Sequence, residues 1–224
     1  MIDYKIEYNN FVENAKQNLH TKFFIIDGPQ RSGNNFWNNL FSSNLVNGNF
    51  EVADFAFHSP HLYFKDNTYN LQDNIVNVVP FRDPWEGLKS FLLLTNEEES
   101  ASEEFMLNYL DSCLSFYGMV LSNSKNIIPI DLDFGSLYPN QIISKVFSID
   151  LEEVSNPFED YAIKERDTDR ENATPRYTRQ KQALLNKAAK RIYTDKVIKY
   201  ATEVSAKYYE AKLFSYNFWK GLGI

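Results

Sequence analysis

Two short stretches leave this chain little freedom in its choice of fold. Phe23 to Asp27 (FFIID) and Asn74 to Phe81 (NIVNVVPF) are apolar almost throughout. A strand with one wet face alternates apolar and polar residues. These runs do not alternate, so each reads as a strand covered on both faces. Each is followed by a turn and then by helical spacing. Gly28-Pro29 follows the first, with apolar residues at Phe36, Trp37, Leu40 and Phe41 beyond it. Arg82-Asp83-Pro84 follows the second, with a stripe of Trp85, Leu88, Phe91 and Leu92. Strand, turn and helix in repetition imply an α/β fold, a parallel sheet with helices on both faces.

The remaining elements extend this pattern. Glu51 to Phe57 and Asn126 to Asp131 read as further strands. Pro129 assigns the latter to a sheet edge or a strand end, since proline cannot donate to a ladder. Helices are expected over Tyr8 to Leu19, Phe105 to Leu121 and Asn140 to Phe147, and in a long C-terminal tail broken near Tyr193 to Asp195. Glu97 to Glu104 reads as a solvated acidic loop. Glu152 to Arg179, polar and interrupted by Pro157 and Pro175, reads as a mobile loop. A chain of 224 residues suffices for one well-buried core, so residues 1–224 are taken as a single domain with a helical C-terminal tail.

Composition narrows the partners. A net charge of −7 argues against a nucleic-acid-coating protein, which needs a surplus of Lys and Arg. It leaves room for a small anionic ligand, which a few backbone N–H groups and local cations can hold. One cysteine, Cys113, excludes an internal disulfide, and three histidines (His20, His58 and His61) offer little for a metal cluster. No run approaches eighteen apolar residues and the Met1 to Lys5 segment is polar. The expectation is a soluble cytoplasmic protein with no membrane span.

The two turns carry the chemistry. Gly28 and Gly33 have the spacing of G-x-x-x-x-G-K-[ST], in the strand-to-helix context where backbone N–H groups cradle phosphate. Asn34 and Asn35 stand where that pattern has its Lys and its hydroxyl. Their absence speaks against an ordinary ATP-dependent kinase and removes the usual magnesium ligand.

Pro29-Gln30-Arg31-Ser32-Gly33-Asn34-Asn35-Phe36 resembles the 5′-phosphosulfate loop of the sulfotransferases, P-x-[KR]-S-G-T-T-[FW], with two asparagines in place of two threonines. Val78 to Phe91 is similar to that family's 3′-phosphate motif: an apolar strand, R-[ND]-P, and a Ser eight residues after the Arg, here Arg82 and Ser90. An Arg at a strand end and a Ser two turns into the next helix can offer one phosphate a guanidinium fork and a hydroxyl. The resemblance spans about Phe23 to Leu151. It implies a P-loop NTPase-like fold, 3′-phosphoadenosine 5′-phosphosulfate as co-substrate, a small-molecule acceptor and no required metal.

Position by position, the resemblance makes Arg31 the catalytic cation. It assigns Ser32, Gly33, Asn34 and Asn35 to the 5′ end, Phe36 to the adenine, and Arg82 and Ser90 to the 3′-phosphate. His58, at the end of the strand before the R-D-P strand, becomes the base that takes the acceptor's proton. His61 competes for that role, and Glu51 and Asp54 are acidic alternatives. Asp131 or Asp133 matches an acidic residue after the family's next strand. Ala56 stands where many cytosolic members have Lys, and the family's later R-K-G segment has no clear counterpart. Arg176 and Arg179, flanking Tyr177-Thr178, are the basic residues in a suitable loop. The acceptor pocket is expected from Leu45 to Phe50, His58 to Tyr69 and Glu152 to Arg179. Two alternatives stay open: a P-loop nucleotide or small-molecule kinase, and a degenerate sulfotransferase-like domain that binds without chemistry.

Overall fold

The computed structural model describes residues 4–20, 22–29, 32–45, 56–58, 73–95, 102–122, 126–156 and 193–224. In chain order the elements are α1 (Tyr4–Gln17), β1 (Phe23–Ile26), α2 (Asn34–Leu45), β2 (Ala56–His58), β3 (Ile75–Phe81), α3 (Pro84–Thr95) and α4 (Glu103–Leu121). After them come β4 (Ile127–Asp131), a single turn α5 (Leu132–Gly135), α6 (Pro139–Phe147), a 3-10 turn at Leu151–Glu153, and α7 (Asp195–Gly221). The protein is α/β, with four described strands, all parallel, in the order β2-β1-β3-β4.

Both faces of the sheet are covered, as the unbroken apolar runs require. Phe23 and Ile25 of β1 pack with Ile75, Val79 and Phe81 of β3 into one core, filled from outside by α1, α3, α4 and most of α7. Phe24 and Ile26 face the other way. They join Val78 and Ile130 in a second core with Trp37, Leu40 and Phe41 of α2 and Ile142, Ile143 and Phe147 of α6. The second core is strongly aromatic: Phe24, Phe41 and Phe147 meet with ring centroids 5.3–5.6 Å apart. Asn44 is buried in α2, where its side chain bonds the N–H and carbonyl of Ser155 at 2.8 and 2.7 Å and ties that segment to the helix.

Pro129 lies on an edge strand, as its missing N–H predicts. The helix α7 covers that edge. Ser215 Oγ and Trp219 Nε1 both donate to the Pro129 carbonyl, at 3.0 and 2.7 Å, and the Asp131 N–H donates to Ser215 Oγ at 3.4 Å. Two outward backbone groups of β4, the Pro129 carbonyl and the Asp131 N–H, thus find side chains of α7.

Several boundaries differ from the sequence reading. Glu103 and Glu104 belong to the first turn of α4, not to an acidic loop. Ser102 caps that helix through its side chain, and two carboxylates at its amino end match the helix dipole. The first helix begins at Tyr4 and ends at Gln17. The break in the C-terminal tail is a helix start, with Thr194 capping α7 by accepting from the Val197 N–H at 3.3 Å. Among the described residues no helix is long and apolar enough to cross a membrane.

Candidate functional site

In the strand order β2-β1-β3-β4, the chain passes from β1 through α2 to β2 on one side of β1, and the next strand, β3, lies on the other side. At such a switch point the loops diverge, and a crevice opens outside the carboxyl ends of the two central strands. The turn after β1 and the turn after β3 both lie there.

The first turn is built tightly. The Asp27 N–H reaches the Val78 carbonyl at 3.0 Å, so pairing with β3 runs one residue past β1. The backbone then passes so close to β3 that a β-carbon at position 28 would stand 1.9 Å from the Pro80 carbonyl oxygen. Glycine is the residue that allows that approach. Gly33 has φ +81, and its carbonyl accepts the Trp37 N–H at 3.0 Å, so α2 starts directly after it. Asn34 is buried, and its amide nitrogen donates inward to the carbonyls of Gly28 (3.0 Å) and Pro29 (3.3 Å). Its side chain therefore braces the loop. Two polar groups at the loop have no hydrogen-bond partner among the described residues: the buried Ser32 hydroxyl and the Trp37 indole N–H, which lies beside Gly33. Asn35 is exposed on α2, and Phe36 is half-buried against Trp37 with ring centroids 5.2 Å apart.

The second turn is held by capping. Asp83 Oδ1 accepts from the N–H groups of Trp85 (2.9 Å) and Glu86 (3.1 Å), and Pro84 takes the first helical position. Two of the three residues of the R-D-P motif thus start a helix. Arg82 is half-buried at the end of β3, and its carbonyl accepts from the Tyr117 hydroxyl at 2.6 Å. Its stem lies over Gly87, with Cγ 3.6 Å from where a β-carbon there would sit. Gly87 and Ser90 are three residues apart on α3 and share a face, so Arg82 and the buried Ser90 lie on one side of that helix.

A polar ladder runs beneath Arg82. Tyr109, Cys113 and Tyr117 are stacked one turn apart on α4, and both hydroxyls lie near enough to the thiol to favour its ionised form. Burial pushes the Cys113 thiol up to about 12, against the pull of the two hydroxyls, and it also raises both tyrosine hydroxyls. The thiol is therefore neutral at ordinary pH and inert as a nucleophile. Sequence spacing shows the i, i+4, i+8 pattern but not that it sits under Arg82.

At the end of β4 a second unforeseen group gathers. Asp131 is buried, accepts from the Tyr208 hydroxyl at 3.0 Å and lies 3.6 Å from Lys212 Nζ. Lys212 donates to Asp133 at 2.6 Å. Burial raises the Asp131 carboxyl above its usual range, and Lys212 and Tyr208 only partly offset this. Burial lowers the Lys212 ammonium, but its hydrogen bonds to Asp133 and Tyr208 and the charge of Asp131 outweigh that and leave it raised.

His58 is the last residue of β2, with its Cα paired to Ile26 of β1. Its backbone is thus one strand away from the first turn. Arg31, Arg176, Arg179, His61, Glu51 and Asp54 lie outside the described residues, as does most of the expected acceptor pocket. Among the described residues no group of three side chains is arranged to hold a metal ion. Compared with known proteins, the chain matches no family model, no curated protein and no solved structure.

Proposed function

We propose that this chain is a P-loop-type transferase of the sulfotransferase kind, cytoplasmic, moving a sulfuryl group from 3′-phosphoadenosine 5′-phosphosulfate to a hydroxyl or amine of a small acceptor. The observation that carries the reading is the adjacency of two anion-suited turns at the carboxyl ends of neighbouring strands. The β1 turn has a closely approaching glycine backbone, a helix start and two buried polar groups without described partners. The β3 turn has Arg82 and Ser90 on one side of α3. A nucleotide with phosphate on both the 5′ and 3′ positions of its ribose needs two such places close together.

In this reaction the acceptor oxygen or nitrogen attacks sulfur in line. The bond from sulfur to the bridging phosphate oxygen breaks, and adenosine 3′,5′-bisphosphate leaves. His58 takes the acceptor's proton, and Arg31 neutralises charge on the departing oxygen. Ser32 and the N–H groups around Gly33 hold the 5′ end, Phe36 meets the adenine, and Arg82 and Ser90 hold the 3′-phosphate.

A second reading, binding without transfer, is favoured by one feature: the amide of Asn34, at a position where the family has threonine, bonds the loop itself. Calorimetry followed by a labelled-donor assay separates the readings. Adenosine 3′,5′-bisphosphate should bind without magnesium. Arg82→Ala should weaken it by about thirtyfold, the equivalent of ~2 kcal/mol, while sparing adenosine 5′-phosphosulfate. Binding only of ATP with magnesium rejects the proposal. Bisphosphate binding without donor turnover, against a panel of phenols, alcohols and amines, moves it to the binding protein.

A further inference from the structure

Between the first turns of α3 and the middle of α7 lies an open groove of about 600 Å3, within the size range of small-molecule sites. It adjoins the β3 turn and shares Asp83 with it, while its other lining side chains include Trp85, Glu86 and Lys89 of α3 and Tyr208, Tyr209 and Lys212 of α7. Its walls are aromatic. Trp85 and Tyr193 meet edge to face with centroids 5.1 Å apart, and Tyr208 and Tyr209 form a second pair at 5.2 Å. Trp85 is half-buried and Tyr209 is mostly exposed, so flat apolar surface faces the opening.

The charges around those rings decide what can enter. Two lysines line the groove, and both already meet carboxylates. Lys89 donates to Glu86 at 2.6 Å, and Lys212 donates to Asp133 at 2.6 Å and to the Tyr208 hydroxyl at 3.2 Å. An incoming anion would have to pull one of them away. The carboxylates have capacity left over. Glu86 and Asp133 are 44% and 75% exposed, and with Asp83 they outnumber the lysines three to two in the lining. An electron-rich aromatic wall beside surplus negative charge favours a positive ligand with an apolar body. A neutral apolar ligand would strip water from the carboxylates without replacing it.

We propose that this groove binds an organic cation, a ligand bearing an ammonium or guanidinium next to an aliphatic or aromatic body. Its positive end meets Glu86 and Asp133, and its body lies on Trp85 and Tyr193. The proposal stands apart from the nucleotide reading and is tested without nucleotide.

Trp37 and Trp219 are fully buried, so a change in the emission of Trp85 reports on the groove. The probes are benzyltrimethylammonium and phenylacetate, similar in body and opposite in charge. The ammonium should shift Trp85 emission and bind at least tenfold more tightly than phenylacetate. Glu86→Gln and Asp133→Asn should each weaken it by roughly threefold to tenfold, and Lys89→Gln should tighten it by a similar factor. All three positions are at least partly exposed and can change without disturbing the core. Equal or tighter binding of phenylacetate, weakening by Lys89→Gln, or no response to millimolar ammonium overturns the proposal.

Discussion

After β1 the chain turns on a side-chain amide, and after β3 it turns on a carboxylate. Asn34 reaches back across the first turn to two carbonyls, and Asp83 reaches forward across the second to two N–H groups. The first turn is also closed from above, because Gly28 lies against the backbone of β3. The second is propped from below, by a tyrosine hydroxyl on the Arg82 carbonyl. In each turn one polar side chain holds the backbone, Asn34 in the first and Asp83 in the second, and another stands beside it, Ser32 and Arg82 respectively. A motif that reads as a row of ligand contacts is thus divided between residues that shape the turn and residues that the turn presents.

The largest effect expected from this contrast is at Gly28. A methyl group there meets a carbonyl oxygen in the sheet, which cannot move without breaking the pairing of β1 with β3. Gly28→Ala should cost at least about 3 kcal/mol in urea unfolding, or prevent folding. At Gly87 the added carbon meets the Tyr109 hydroxyl at 2.0 Å, the tip of a side chain. Gly87→Ala should cost about 2 kcal/mol, because a ring can shift where a strand cannot. Gly118, exposed on α4 with nothing within 4 Å, is the control, and Gly118→Ala should stabilise by about 0.5–1 kcal/mol. If Gly87→Ala proves costlier than Gly28→Ala, the contrast between a rigid and a yielding neighbour fails.

Next come the two side chains that hold the turns. Asn34 is buried, and removing it leaves two carbonyls of a tight loop without their donor. Asn34→Ala should cost about 2 kcal/mol. Asp83 caps a half-exposed helix start where water can substitute, so Asp83→Ala should cost about 1 kcal/mol. Thermal and urea unfolding of both variants give the ratio. Equal costs would mean that burial is not what sets the two turns apart.

Much of this was open to reading in the sequence, because it depends on local pattern. The unbroken apolar runs give β1 and β3, Pro129 gives the edge strand, and Asp83-Pro84 gives the start of α3. Arg82 and Ser90 sharing one side of α3 follows from their spacing. What the sequence hides is set by side chains arriving from far along the chain. Tyr117 reaches Arg82 from 35 residues away, Tyr208 reaches Asp131 from 77, and Trp219 reaches Pro129 from 90. No periodicity encodes such meetings. The inward turn of Asn34 was hidden for a different reason: an amide can donate to a ligand or to its own loop, and only the loop's path decides which.

The prop beneath Arg82 can be removed with one atom. Tyr117→Phe deletes the hydroxyl that donates to the Arg82 carbonyl and keeps the ring in the core. It should cost about 1 kcal/mol of stability. If the ladder also positions Arg82, adenosine 3′,5′-bisphosphate affinity should fall by roughly threefold while magnesium independence is kept. A stability loss with unchanged affinity would make Tyr117 structural only and would separate the second turn's support from its site.

The smallest effect is absent at neutral pH and emerges in alkali. Cys113 lies in the prop of the second turn, and the described residues of the first turn carry no group that titrates between pH 9 and 12. Burial lifts the Cys113 thiol from 9.0 to about 12 in the folded protein. Between those values the unfolded chain has lost the proton and the folded chain still holds it. The unfolded state then binds fewer protons, so stability falls as pH rises. The contribution is complete below pH 9 and is lost progressively toward pH 12. Tyr109 and Tyr117, raised by the same burial, act in the same direction at higher pH. Cys113→Ala should therefore start less stable than the parent at pH 7, by about 1 kcal/mol for the small cavity. It should then lose less as the solution is made alkaline. Urea midpoints measured from pH 7 to pH 11 should converge above pH 9. Parallel curves would show that the thiol ionises in the folded protein as readily as in the unfolded chain, and the ladder beneath Arg82 would not be the dry, closed structure that its geometry describes.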